Sequence, residues 1–191
     1  MKLFNWIFLL AVIFCIISCK KGLKKDSDSY NFRHEHCKGL EIIERLECMK
    51  GSDCPLFEMR TINDNLIVPS DFEDEIVVIN FWATYCKPCI AEIPGLNDLK
   101  KKYDNVNFIA VNIDKLSELL NFLKINNFNF EMVSDESNKI GRDIFKNDMG
   151  LPLTVIIKDG KIEKMICGGS TDEYASENIK NEISAIIEAA L

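Results

Sequence analysis

The sequence predicts an α/β domain with a central mixed sheet and helices on both of its faces. Three observations carry this. Ile76-Val77-Val78-Ile79-Asn80-Phe81-Trp82 is an almost unbroken apolar run, as in a strand buried on both faces of a sheet. From about Pro88 to Tyr103, residues Ile90, Ile93, Leu96, Leu99 and Tyr103 fall on one helical stripe. Leu153–Lys158 and Lys161–Cys167 flank Asp159-Gly160, a two-residue turn favoured between antiparallel strands.

The remaining elements fit around these. Pro88 suits the first position of its helix, whereas Pro94 should kink it. Val106 to Ile113 reads as a second buried strand. Leu116, Leu119, Leu120 and Leu123 mark the next helix, and a short one is expected from about Asn138 to Phe145. Ile179, Ile183, Ile186, Ile187 and Ala190 give an amphipathic C-terminal helix. A right-handed βαβ unit followed by a ββα unit is the thioredoxin architecture.

The amino-terminal region is of another kind. Leu3 to Ile17 is apolar except for Asn5, too short for the roughly 20 residues of a spanning helix. It fits the apolar core of a secretory signal. Ile16-Ile17-Ser18-Cys19 resembles the lipobox of bacterial lipoproteins, which makes Cys19 the lipidated first mature residue; a plain signal peptide or an uncleaved anchor is the alternative. Residues 1–18 are thus expected to be a lipoprotein signal and 19–29 a solvated tether. A Cys-rich helical extension should span 30–55, and the thioredoxin-like domain 56–191. The expected location is the bacterial cell envelope, anchored by lipid and facing the periplasm, where disulfides persist. The chain of 191 residues carries a net charge of −7, and loss of Lys2 with the signal makes it −8. An acidic surface without a basic patch argues against a nucleic-acid partner.

Cys86-Lys87-Pro88-Cys89 sits where the first strand meets its helix. A helix N-terminus presents unpaired amides and partial positive charge, which lower a cysteine's pKa from about 8.5 to as little as roughly 3.5–7.5. Lys87 adds a cation. Cys86 is the expected exposed nucleophile and Cys89 the more buried resolving thiol. A zinc site is disfavoured because no second CxxC exists.

Asn80-Phe81-Trp82-Ala83-Thr84-Tyr85-Cys86-Lys87-Pro88-Cys89-Ile90-Ala91-Glu92-Ile93-Pro94 resembles the active-site block of the TlpA-like thiol–disulfide oxidoreductases of the thioredoxin superfamily. The likeness runs from about Phe57 to Leu191. It implies a membrane-tethered enzyme that reduces disulfides of extracytoplasmic client proteins, in some members during cytochrome c maturation, and that receives electrons from a second thiol protein. No cofactor or metal is implied. It further implies that Glu92 relays the proton of Cys89, and that Asn80 replaces a buried aspartate. Gly150-Leu151-Pro152-Leu153-Thr154 would hold a cis-proline opposite the CxxC, with Leu151 binding substrate through its backbone. Trp82 and Tyr85 would form an apolar docking surface.

Four other cysteines remain beyond Cys15 and Cys19, namely Cys37, Cys48, Cys54 and Cys167. If 38–49 is one helix, Cys37 and Cys48 lie about 16 Å apart, beyond the roughly 7 Å that a bond allows. Cys48–Cys54 or Cys37–Cys54 is therefore expected. By the resemblance, Cys167 lies near the substrate groove, either as a third thiol in exchange or as a disulfide partner of a cysteine in the N-terminal segment; a small buried hydrophobe is the alternative. Two readings of other classes stay open. One is a thioredoxin-fold peroxidase, although Ala83 stands where such an enzyme wants Thr or Ser. The other is a non-catalytic lipoprotein that binds a partner or a metal through His34, His36 and the nearby cysteines.

Overall fold

In a computed structural model, residues 29–191 are described except residue 73. The expectations for the signal, Cys15, Cys19 and the tether to residue 28 lie outside them. Five strands form one sheet in the order β5-β4-β3-β6-β7, and a separate two-stranded hairpin, β1 (Met59–Arg60) and β2 (Leu66–Ile67), precedes it.

The centre is β3 (Ile76–Trp82), fully buried along its length. Side chains alternate between sheet faces. Ile76, Val78 and Trp82 join one apolar cluster with α3 (Lys87–Lys102) and α5 (Ala175–Ala190), whereas Val77, Ile79 and Phe81 join another on the opposite face. β3 pairs in parallel with β4 (Val106–Asn112) and antiparallel with β6 (Leu153–Lys158). Helix α4 (Leu116–Leu123) leads from β4 to β5 (Glu131–Ser134), which pairs parallel with β4. β5 escaped the sequence reading because its four residues carry too little pattern.

β6 and β7 (Lys161–Cys167) form the expected hairpin, and Asp159 and Gly160 both take positive φ, at 50° and 69°. An Asp-Gly pair meets that demand, since glycine has no Cβ to clash and aspartate tolerates the left-handed region. The helix expected near 138–145 is a π-helical turn, Lys139–Ile144. The buried Asp135 carboxylate caps it, accepting from the amides of Lys139, Ile140 and Gly141 at 2.9, 2.8 and 3.2 Å. Pro94 lies within α3 and does not end it.

The extension corrects the expected pairing of its cysteines. It is a helical hairpin, α1 (29–37) and α2 (Ile42–Cys48), rather than one helix over 38–49. The chain turns at 38–41, where Gly39 weakens the helix and Leu40 N–H donates back to Cys37 O at 3.1 Å. This reversal brings Cys37 and Cys48 to a Cα separation of 5.9 Å, and they form the disulfide. The 16 Å estimate fails because its premise of one straight helix fails. Cys54 and Cys167 are free thiols, not disulfide partners. Beyond α2, Gly51 N–H donates to Ile162 O and Ile162 N–H to Ser52 O, and Cys54 N–H donates to Gly160 O. Residues 51–54 thereby cover the β7 edge, which would otherwise offer unpaired amides.

Replacing Cys37 and Cys48 with Ala should cost about 2–4 kcal/mol by freeing the unfolded chain. A lower urea midpoint for the double variant under oxidising conditions checks this; an unchanged midpoint would contradict it.

Candidate active site

The chain leaves β3 at Trp82 and enters α3 at Lys87, so residues 83–86 hang from the end of a strand fixed on both faces. Thr84 N–H donates to Asp114 Oδ2 at 2.6 Å, and Asn112 Nδ2 donates to the same oxygen at 3.0 Å. Cys86 N–H donates to Ala83 O at 3.1 Å. These bonds deliver Cys86 to the N-cap of α3, where its sulfur accepts from Cys89 N–H at 3.3 Å.

Cys86 and Cys89 form a disulfide with Cα atoms 5.3 Å apart. Cys86 is 8% exposed and Cys89 is 2%. The order of exposure is as expected, although in the disulfide form Cys86 shows solvent only a narrow edge.

A groove of about 610 Å³ opens beside them, lined by Tyr85, Cys86, Lys87, Pro88, Ile113, Asn138, Asn147, Gly150 and Leu151. Leu151-Pro152 is a cis peptide, and Pro152 O accepts from Gly168 N–H at 2.9 Å. Tyr85 is 70% exposed on the groove wall. Trp82 corrects the expectation of an aromatic docking pair. It shares the face of Ile76 and Val78, is 0% exposed, and packs edge-on to Phe122 and Phe128 with centroids 5.2 and 5.3 Å away. It belongs to the core. Asn80 donates to Thr154 Oγ1 at 3.0 Å and is likewise buried.

Glu92 is one helical turn past Cys89 and buried, and its Oε2 has no hydrogen-bond partner among the described residues. Burial, aided by the negative charge of Glu182 on α5, pushes its carboxyl up to about 8. A methyl group at Gly169 would overlap Glu92 Oε1 and lie 3.1 Å from Pro152 Cγ and 3.2 Å from Pro88 Cβ. The carboxyl, the cis-proline and the helix mouth thus converge on one point.

The AhpC/TSA family profile matches residues 51–165. The thiol-disulfide oxidoreductase ResA of Bacillus thuringiensis subsp. konkukian is 34% identical over 136 residues, which are 68% of this chain and 76% of that protein. The chain belongs to the AhpC/TSA family. It is an enzyme of the thiol–disulfide oxidoreductase class, in agreement with the TlpA-like resemblance. ResA of Bacillus subtilis is 29% identical over 177 residues, covering 90% of either chain. A solved Chlorobium tepidum chain, described as a thiol:disulfide interchange protein DsbE, matches with a TM-score of 0.62. It is 25% identical and covers 72% of this chain and 97% of its own. The fold is the thioredoxin fold.

The sequence reading of this AhpC/TSA-family enzyme missed several groove residues. Ile113 follows β4 directly, between Asn112 at the strand's end and Asp114, and polar residues at the carboxyl ends of parallel strands are a general sign of a binding crevice. Asn138 and Asn147 had no such local mark. Cys167 is half-buried, with Sγ donating to Met149 O at 3.7 Å, and burial raises its thiol pKa. Its side chain joins the cluster on the extension's face of the sheet, away from the one that holds Cys86 and Cys89. Among the described residues, no group of three or more His, Cys, Asp or Glu is placed to hold a metal ion. His34 Nε2 is engaged by Arg45 Nη2 at 2.8 Å, and His36 is exposed.

The raised carboxyl gives a signed prediction. Between about 4.5 and 8 the folded chain keeps a proton on Glu92 that the unfolded chain has released. This contribution is full below the lower value and is lost as pH rises to the upper one. Glu92→Gln should therefore remove a fall in stability across that window, worth a few kcal/mol. Urea midpoints of both proteins on either side of the window measure it; parallel profiles would refute the buried, proton-holding carboxyl.

Proposed function

We propose that this protein reduces disulfides of client proteins outside the cytoplasm, with Cys86 as nucleophile and Cys89 as resolving thiol. The observation that carries the reading is the Cys86 sulfur at the N-cap of α3, within reach of the Cys89 amide and beside the groove at Leu151-Pro152. Amide donation and the helix dipole favour the thiolate over the thiol.

In the reduced enzyme, Cys86 thiolate attacks one sulfur of the client disulfide and expels the other as a client thiolate. The mixed disulfide is then attacked at Cys86 Sγ by Cys89, which closes the Cys86–Cys89 bond and releases the second client thiol. Two electrons pass to the client, and a donor dithiol must restore the enzyme. Glu92 is the proton acceptor for Cys89, being the buried carboxyl one turn away. Tyr85 and Leu151 border the path of the client chain, and Pro152 adjoins Pro88 across Gly169.

The envelope setting draws on the sequence, through the apolar Leu3–Ile17 run and Cys19 as lipidation site. The Cys37–Cys48 disulfide agrees with it, because such bonds persist in oxidising compartments. Assistance to cytochrome c maturation follows from the TlpA-like resemblance. The peroxidase reading is weaker, since Ala83 offers no hydroxyl three residues before Cys86.

Cys89→Ser expressed in the envelope should accumulate mixed disulfides through Cys86 that collapse on reduction, and their partners identify the client. Non-reducing gels with mass spectrometry read the outcome. Equal trapping by Cys86→Ser would show that the two roles are misassigned.

A further inference from the structure

The extension reaches the active-site groove from behind. Tyr30 O–H donates to Phe145 O at 2.6 Å, and Arg45 Nη2 lies 2.7 Å from Asp148 Oδ1. The same Arg45 nitrogen is 2.8 Å from His34 Nε2. A guanidinium only donates, so His34 accepts through Nε2 and is held in its neutral form. Burial and the charge of Arg45 accordingly lower the His34 pKa. Two helices, closed on each other by Cys37–Cys48, therefore grip the segment that runs from the π-helical turn to the cis-proline.

That segment forms the far wall of the groove. Asn147 Nδ2 donates to Gly150 O at 2.9 Å, and Asn147 Oδ1 accepts from Met149 N–H at 3.1 Å, so the turn at 147–150 is internally braced. Asp148 sits within it, and its charged partner is Arg45. Stability alone accounts poorly for this pair. Arg45 is buried while Asp148 is half exposed, and desolvating a guanidinium commonly offsets the attraction it gains. An apolar side chain at 45 would fill the same space without that cost. What the ion pair adds is direction, since it fixes where the 147–151 turn lies relative to Cys86.

We propose that Arg45 is a positioning residue for client recognition, holding Asp148 so that the 147–151 turn keeps the Leu151-Pro152 edge in register with the Cys86–Cys89 disulfide. The inference rests on the reading of the groove as the client site. It gives the N-terminal hairpin a role in client affinity without contact with the reacting sulfurs.

The test uses the full chain, reduced with dithiothreitol, and two probes. One is a cyclic peptide closed by a single disulfide, which needs the groove; the other is a small aromatic disulfide, which does not. Arg45→Met keeps length and apolar bulk but removes the donors. It should raise KM for the peptide roughly tenfold or more, with kcat little changed, as misplaced contacts do at a distance from the chemistry. Its rate with the small disulfide and its redox potential against glutathione should match the parent. Arg45→Lys should recover part of the loss. Asp148→Ala should resemble Arg45→Met, with the double variant no worse than either, because the two side chains act as one unit. An unchanged peptide KM in Arg45→Met would overturn the proposal, as would equal losses toward both probes. Asp148→Ala alters a half-exposed residue and decides the matter if Arg45→Met does not fold: a normal peptide KM overturns the proposal, a raised one with normal small-disulfide rate supports it. A parent protein that reduces neither probe refutes the groove reading itself, an outcome distinct from any loss confined to the variants.

Discussion

The contact between the Cys89 amide and the Cys86 sulfur requires a helix to begin at one defined point in space, and most of the architecture serves that requirement. β3 is buried on both faces and paired on both edges, so its last residue has little freedom. Asp114 holds Thr84 from the neighbouring strand end, which leaves the turn at 83–86 one course to follow. Pro88 lies in the first turn, where an amide would have no helical partner, and its fixed φ suits the helix start. Loosening any of these would let the sulfur drift from the amides that favour its anion.

Much of this was legible in the amino acids. β3, β6 and β7 begin and end where the apolar run, the Asp-Gly turn and the alternation put them, and α3 is offset by one residue. Each is governed by local rules that the sequence states directly. The cis peptide before Pro152 and the burial of Glu92 agree with the TlpA-like resemblance rather than with any periodicity. The misreadings differ in cause. Trp82 falls on the face of Ile76 and Val78 by plain strand alternation, and the expectation of a docking role set that pattern aside. The Cys37–Cys48 pair depends on where the chain turns back after α1, and side-chain spacing along a line says nothing of that. Asn147 braces its own turn through the Met149 amide and the Gly150 carbonyl, a role that leaves no compositional trace, whereas Asp114 stands just past a strand end, a position that could have marked it.

The two faces of the sheet contribute different things. On the α3–α5 face the apolar packing surrounds Cys86, Cys89 and Trp82, and it withholds water from Glu92. The opposite face is covered by the extension, whose polar members Tyr30, His34 and Arg45 are nearly all satisfied by specific partners. Electrostatic tuning of the reacting pair thus comes from one side and placement of the groove wall from the other. Because the sheet separates them, a change on one side can alter affinity while leaving the chemistry of the sulfurs intact.

The value near 8 for Glu92 bears on the proposed cycle. An ordinary carboxylate near 4 would take a proton from a thiol of about 8.5 only against a steep gradient. Raised by burial and by Glu182, the carboxyl lies close to an unperturbed thiol, and transfer in either direction then costs little. Cys89 must lose its proton to close the disulfide and regain one when the disulfide is reduced, so a group poised at that level serves both halves. Gly169 keeps the arrangement open, since the methyl of any larger residue would press on the carboxyl, on Pro152 and on Pro88 together. The same apolar setting that makes Glu92 costly to ionise is what fits it to exchange a proton with sulfur.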